Sequence, residues 1–367
     1  MSAALLLGCS KTDPQEPAVP EKEDTTVRDE NALTNPNATA AAQKVYSFIR
    51  ENAGNTILSG VQSGGTANNN ERVDEIFRLT GKHPAVAGYD YIFLQYSPTP
   101  SNWSWKVDYG DISAAKEQWK EGGLVSFMWH WNVPSSKEAW ENGKKGNFDG
   151  YNFYCDKTTF DINRALLPGS WENEFILQDI EKVASYLKLL QKDGIPVLWR
   201  PLHEAAGNYN RYGTNGAWFW WGRGGSDSCK KLWKLLRDKL EGEYGLNNLI
   251  WVWTLDATEE VSAATYAKWY PGNELVDIVG VDIYADDTAA KARQYQAAVA
   301  LSGGKKPVTI SECGNIPNPE KCLDAEQNWS WFLTWDLESY PLNTENYWKT
   351  IMASPRVLTR ESMPSLK

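Results

Sequence analysis

The chain has 367 residues, with 37 Lys and Arg against 47 Asp and Glu, a formal net charge of −10. That balance disfavours a nucleic-acid partner, and the length suits a single barrel-sized domain, roughly 250 residues plus insertions, better than a small module. The 19 Trp and 17 Tyr are many for this length, and such rings stack on the apolar faces of sugars as well as filling cores.

The chain opens Met1-Ser-Ala-Ala-Leu-Leu-Leu-Gly-Cys9. This run resembles the lipobox of bacterial lipoprotein signal peptides, in which the cysteine is acylated and becomes the new first residue. Residues 1–8 would then be the remnant of a signal peptide, although the usual positively charged start is missing ahead of Cys9. Residues 9–36 are rich in Pro, Glu, Asp, Lys and Thr, the composition of a disordered tether. The resemblance implies an exported lipoprotein, periplasmic or on the outer membrane, with lipidated Cys9 as its contact with the membrane. No other stretch is long and apolar enough to cross a bilayer.

Residues 37–367 read as one domain. Helical periodicity over 38–52, with Thr39 or Asn37 as cap, leads to a strand over 56–62. A helix over 70–79 and a strand over 84–90 follow, then a long Trp- and Tyr-bearing loop, a helix over 113–120 and a strand over 123–130. The clearest amphipathic helix covers 174–192, and Gly194 closes it before a fourth strand that runs into Glu204. Helices over 227–243, 263–269, 287–301 and 344–353 are interleaved with strands over 248–254, 276–282, 307–312 and 329–335. Eight strand-like runs alternating with helices predict an α/β fold with a parallel sheet, and eight is the number that closes into a (β/α)8 TIM barrel. A doubly wound open sheet is the competitor, but no Gly-rich phosphate turn follows the first strand.

Two stretches carry the chemistry. Trp199-Arg-Pro-Leu-His-Glu204 and Val308-Thr-Ile-Ser-Glu312 are each an apolar run that ends on a carboxylate. A glutamate at the carboxyl end of a barrel strand sits at the mouth, where such barrels keep their active sites. Two carboxylates in one cleft are the minimum for cleaving a glycosidic bond. The plainer alternative is a pair of solvated strand ends or ion-pair partners. Arg200 reads as a structural partner of barrel carboxylates, and Asp256 and Asp282 read as structural.

The wording of the fourth-strand motif, followed by Trp218-Phe-Trp-Trp-Gly222, resembles the β-mannanases of glycoside hydrolase family 26, in which a histidine precedes the acid/base. The similarity extends over about residues 37–355. It implies Glu204 as general acid/base and Glu312 as nucleophile of a retaining reaction on β-1,4-mannan, galactomannan or glucomannan, acting within chains or releasing mannobiose from an end. It further implies that His130 and Trp131 hold the sugar from strand three, that His203 hydrogen-bonds beside the nucleophile, and that Trp218 forms a nearby wall. Tyr284 would orient the nucleophile, and Trp335 would be the platform under the cleaved sugar. Residues 208–216 make the segment before Trp218 longer than in the shortest family members, which bears on the outer subsites. A retaining mechanism needs the two acids to differ in proton affinity, so Glu204 is expected to be raised and Glu312 stabilised as an anion by Tyr284 and Arg200.

Neither a metal nor an organic cofactor is expected. The three histidines (His83, His130, His203) are scattered, and no Cys-x-x-Cys pair occurs. In an exported protein Cys155, Cys229, Cys313 and Cys322 have three possible pairings, of which Cys313 with Cys322 closes the shortest loop. A monomer is expected. The same mechanism on mixed-linkage glucan or xylan is the nearest alternative, and a non-catalytic glycan-binding lipoprotein is the alternative of a different class.

Overall fold

Short β-branched and aliphatic runs, each bounded by turn residues, supply the strands. In the computed structural model, which describes residues 31–63, 69–207, 217–258 and 263–367, eight of these runs form a closed parallel barrel: β1 (Gly60–Gln62), β2 (Val86–Asp90), β3 (Leu124–Trp129), β4 (Val197–Pro201), β5 (Leu249–Asp256), β6 (Ile278–Ile283), β7 (Val308–Cys313) and β8 (Trp329–Thr334). Each pairs with the next, and β8 returns to β1 through Thr334 opposite Val61, which closes the ring. The strands are buried along nearly their whole length, as a sheet covered on both sides requires.

The main helices are α1 (Ala40–Asn52), α2 (Glu71–Thr80), α3 (Ser113–Lys120), α4 (Trp171–Lys192), α5 (Ser226–Arg237), α6 (Ala263–Trp269), α7 (Ala292–Ser302), α8 (Pro319–Asp324) and α9 (Glu345–Ala353). In α1 the Thr39 side chain accepts from the Ala42 amide, so the expected cap is in place. The helix expected over 227–243 ends its α-helical part at Arg237 and continues as a wider π turn over Asp238–Glu243. In α4, Ile176, Ile180, Val183, Leu187 and Leu190 form the buried stripe that lies on the barrel.

Much of the aromatic content fills the fold. Trp129, Trp131, Trp199, Trp251, Trp329 and Trp331 are under 2 % exposed. Their polar edges are satisfied where needed: the Trp251 indole donates to Glu241 at 2.6 Å and the Trp233 indole to the Leu275 carbonyl at 3.0 Å.

Two expectations are corrected here. Residues 31–36 do not belong to a tether: Leu33, Thr34 and Asn35 are buried, and Thr34 donates through both its amide and hydroxyl to Asp277. The reason is local, since Asp277 sits wholly buried at the foot of β6 and takes these donors. Nor are the cysteines bridged: Cys155, Cys229, Cys313 and Cys322 are all free and buried, and Cys155 instead directs its thiol to the Ala217 carbonyl. Residues 1–30, including Cys9, and residues 208–216 lie outside the described residues.

Candidate active site

Strand register brings the polar groups to one level. Asp90 lies opposite Met128 and Met128 opposite Arg200, while Asp256 lies opposite Asp282 and Asp282 opposite Glu312. In β7 one extra residue separates the pairs Ile310–Val281 and Glu312–Asp282, a bulge at Ser311 that re-aims the residues after it. Gly280 makes room beneath: a Cβ there would meet the Ser311 hydroxyl at 1.9 Å, where Thr254 now donates to that hydroxyl at 3.2 Å.

The fourth strand ends differently. Leu202 and Glu204 adopt φ of 51° and 49°, left-handed conformations that cost on the order of 1 kcal/mol or more for non-glycine residues. This turn is pinned on both sides: the Glu204 amide donates to the Thr254 carbonyl at 3.2 Å, and the Trp221 indole donates to the His203 carbonyl at 2.9 Å. Strain held by surrounding contacts is what places the Glu204 carboxyl in the barrel mouth.

There Glu204, Asp282 and Glu312 converge, one carboxylate oxygen of each lying within 4.8 Å of the others. Arg200 is buried among them. It donates to Asp282 at 3.1 Å, to the Met128 sulfur at 2.9 Å, and in a short contact to Oε1 of Glu312. The second oxygen of Glu312 accepts from the Tyr284 hydroxyl at 2.5 Å. Both oxygens of Glu312 are therefore committed as acceptors, the arrangement of an ionised carboxylate. A guanidinium already answers the charge of these acids, so the cluster does not have the character of a cation site.

Glu204 is in the opposite situation. Burial above all, and then the Asp282, Asp256 and Glu312 carboxylates, push its carboxyl well above the usual range, against the pull of Arg200. One buried acid without a direct hydrogen bond from the guanidinium thus keeps its proton beside a carboxylate whose oxygens both accept, the divergence that acid/base chemistry on two carboxylates needs. Burial and the Glu312 charge raise the Tyr284 hydroxyl well above its ordinary value, so it stays a donor.

The histidines form the floor. His130 directs Nδ1 at 2.6 Å and its amide at 3.0 Å to the two oxygens of Asp90. Its ring meets His203 edge-on at 4.6 Å and Trp335 at 5.8 Å. Burial, then Arg200, then His130 push His203 well below its ordinary value, so this imidazole is neutral. His203 Nδ1, Glu204 Oε1 and Asp282 Oδ1 are buried without a hydrogen-bond partner, each a cost of about 1–3 kcal/mol of the kind concentrated at functional sites. Trp335 is half-buried, its amide donating to the Cys313 carbonyl at 2.9 Å. Trp218 is half-buried one ring further out, clustered with Phe219 at 5.1 Å and Tyr154 at 6.1 Å in near-parallel planes.

Glu204, Glu312, His130, His203, Tyr284 and Trp335 are thus gathered in one mouth, with Trp218 in its wall. Trp131 is a correction. It is completely buried, stacks on Trp129 at 4.0 Å and donates its indole hydrogen to Asp179 of α4 at 2.9 Å. Neighbouring residues on extended chain face opposite ways, so with His130 turned to the cleft, Trp131 faces the helix layer. Sequence reasoning missed Asp90 and undervalued Asp282; the available signal was that both are strand-end carboxylates, at the ends of β2 and β6.

A closed (β/α)8 barrel with two strand-end glutamates in its mouth, one held ionised and one held protonated, defines the glycosidase class of barrel. More narrowly, the sequence profile of glycosyl hydrolase family 26 matches residues 34–361, and the chain belongs to that family. It is 36 % identical over 356 residues to the mannan endo-1,4-beta-mannosidase B of a Piromyces species, covering 93 % of this chain and 55 % of that protein. The family 26 domain of a Prevotella bryantii endo-beta-mannanase/endo-beta-glucanase superposes with a TM-score of 0.80 at 34 % identity, covering 91 % of this chain and 100 % of that one. A beta-mannanase from a symbiotic protist of the termite Reticulitermes speratus, solved with a gluco-manno-oligosaccharide, gives a TM-score of 0.76 at 34 % identity, covering 91 % and 98 %. The chain spans about half the length of the two Piromyces enzymes it matches, 55 % and 50 %.

Proposed function

We propose that this chain is a retaining hydrolase that cuts β-1,4-mannosidic bonds within mannan, galactomannan or glucomannan. The observation that carries the reading is the carboxylate spacing: Glu204 and Glu312 bring oxygens within 4.8 Å. Retaining pairs lie roughly 5–5.5 Å apart and inverting pairs roughly 6.5–9.5 Å. The names of the relatives support mannan as the polymer and internal bonds as the point of attack.

In the first step an oxygen of Glu312 attacks the anomeric carbon while Glu204 passes its proton to the glycosidic oxygen, and the released alcohol leaves. The glycosyl ester carries no charge, so one of the anions that held the Glu204 proton is gone. Glu204 then takes a proton from water, the water oxygen attacks the anomeric carbon, and Glu312 departs as a carboxylate. Arg200 and Tyr284 hold the Glu312 oxygens in line throughout, and the Trp335 ring lies under the sugar. No cofactor enters these steps.

Reducing-sugar release by the parent, Glu204→Ala and Glu312→Ala on mannan, lichenan and xylan tests this. Each variant should lose about a thousandfold on mannan; activity within threefold of the parent would sink the assignment, and faster cleavage of lichenan or xylan would move the substrate. A product ladder from early time points is expected, whereas mannobiose alone would mean attack at an end. The lipobox-like Leu6-Leu-Gly-Cys9 supports export with a lipid anchor, and a monomer is the proposed state. Labelling with a fatty-acid analogue should be lost in Cys9→Ala, and size-exclusion chromatography of the soluble domain checks the monomer.

A further inference from the structure

The face opposite the mouth carries a group of cations that the chemistry does not use. At the amino ends of β7 and β8 lies a cavity of about 210 Å³, lined by Arg50, Tyr295, Lys305, Lys306 and Asn328 among others. It is smaller than the roughly 300–1,000 Å³ of drug-sized ligand sites, on the scale of an ion or a headgroup. Among the described residues that line it, three are cations and none is a carboxylate, in a chain whose formal net charge is −10.

Backbone geometry brings the cations together. Gly303 and Gly304 take φ of 64° and 76°, which closes α7 and turns Lys305 and Lys306 over the foot of the barrel. Arg50, in the last turn of α1, donates to the Lys305 carbonyl at 2.7 Å and lies against the Tyr46 ring at 5.8 Å. Burial above all lowers the proton affinity of the half-buried Lys306 ammonium; Asp277 opposes this, and Arg50 and Arg237 add to it. Asp277 is committed elsewhere, accepting from Thr34 and from the Trp251 amide. An anion in the cavity would answer the charge of all three cations, and a phosphate offers several acceptor oxygens to do so.

We propose that this pocket takes the phosphate of an anionic lipid headgroup, so that the foot of the barrel lies on a membrane and the mouth faces away from it. The choice of a lipid over a free phosphate rests on the lipid-anchor reading. Thr34 is bound to Asp277 on this same face, just before β6, and an acylated Cys9 would tie that end of the chain to the bilayer. Tethering makes the headgroup contact intramolecular, so a site too weak to hold the protein alone suffices to orient it. Each Lys or Arg near an anionic surface adds to such binding, and salt screens it.

The test is co-sedimentation of the unacylated full chain, Cys9→Ala, with vesicles of phosphatidylcholine alone and of phosphatidylcholine mixed with phosphatidylglycerol. Binding is expected to the mixed vesicles only, and to be lost at high salt. Adding Lys305→Gln or Lys306→Gln should weaken it about fivefold each, while Lys145→Gln, exposed in the segment after β3 on the mouth side, should change nothing. Mannan cleavage and thermal melting check that the variants fold. Absent vesicle binding, or binding that all three lysine changes weaken alike, overturns the headgroup site and leaves these cations to the carboxyl ends of α1 and α7. Inorganic phosphate that raises the melting temperature without any vesicle binding overturns the lipid as the source. A parent that takes no fatty-acid label, while its unacylated form still binds the mixed vesicles, loses the anchor and keeps the headgroup site.

Discussion

The Tyr284 hydroxyl donates to Oε2 of Glu312 across 2.5 Å, from the first residue after β6 to the next-to-last residue of β7. A hydrogen bond to a charged group contributes about 1.5–3 kcal/mol, and together with the Arg200 contact to Oε1 this one fixes the orientation of the Glu312 carboxylate. Tyr284→Phe should therefore lower kcat on mannohexaose about 10- to 100-fold, with KM changed far less. A loss confined to KM would mean that Tyr284 contacts sugar and does not aim the carboxylate.

Asp282 stands beside both acids, and after burial it is the largest of the influences that raise Glu204. Burial and then Glu312 push the Asp282 carboxyl well above its ordinary value too, so Glu204 and Asp282 titrate as a pair; Asp282→Asn removes the partner charge against which Glu204 would have to ionise and should lower the proton affinity of Glu204. With Glu204 as the proposed general acid, activity should fall as pH rises through the point where it loses its proton. The alkaline limb of the kcat/KM profile should accordingly move to lower pH in the variant; an unmoved or upward-shifted limb would remove Asp282 from this role.

Both acids were readable in the sequence because apolar runs of strand length ended on them and the strands counted to eight. The means of aiming them were not. The left-handed turn at Leu202 and Glu204 uses no glycine, and the bulge at Ser311 uses a residue found in any strand, so neither leaves a local signature. Trp131 was misread because a motif names neighbours without saying which side of the chain each faces. The ordered segment around Thr34 was hidden for another reason: its partners, Asp277 and Arg237, are more than 200 positions away, and composition carries no information about such contacts. Tryptophan abundance pointed to sugar binding, yet most of the indoles named above seal the seam between barrel and helices.

Arg72, in the first turn of α2, donates to the carbonyls of Gln62 at 3.1 Å and Trp335 at 3.0 Å. It thereby ties Trp335, just past the end of β8, to the end of β1 and holds the proposed sugar platform in place. Arg72→Ala should raise KM for mannohexaose several-fold and leave the pH profile in place, since no titrating group of the mouth is touched. Arg72→Lys, which keeps one donor, should recover part of the loss. Equal falls in kcat and melting temperature, without a change in KM, would make Arg72 a purely structural clamp.

Asp179 of α4 gives a stability prediction with a definite sign. Its carboxylate accepts from the Trp131 indole, and burial against the barrel pushes its pKa from 3.8 up to about 7, despite the hydrogen bond and nearby Lys182, which both pull it down. The folded protein therefore binds this proton more tightly than the unfolded chain. The stabilisation is complete below the unfolded pKa, is lost as pH rises towards about 7, and is absent above it. Asparagine keeps an acceptor for the Trp131 indole and has no charge to desolvate. Asp179→Asn should then melt close to the parent near pH 4 and increasingly above it as pH rises to 8, with Glu204 and Glu312 untouched. A melting-temperature difference that is constant over that range, or that reverses in favour of the parent at pH 8, would show that Asp179 is held as an anion by Lys182.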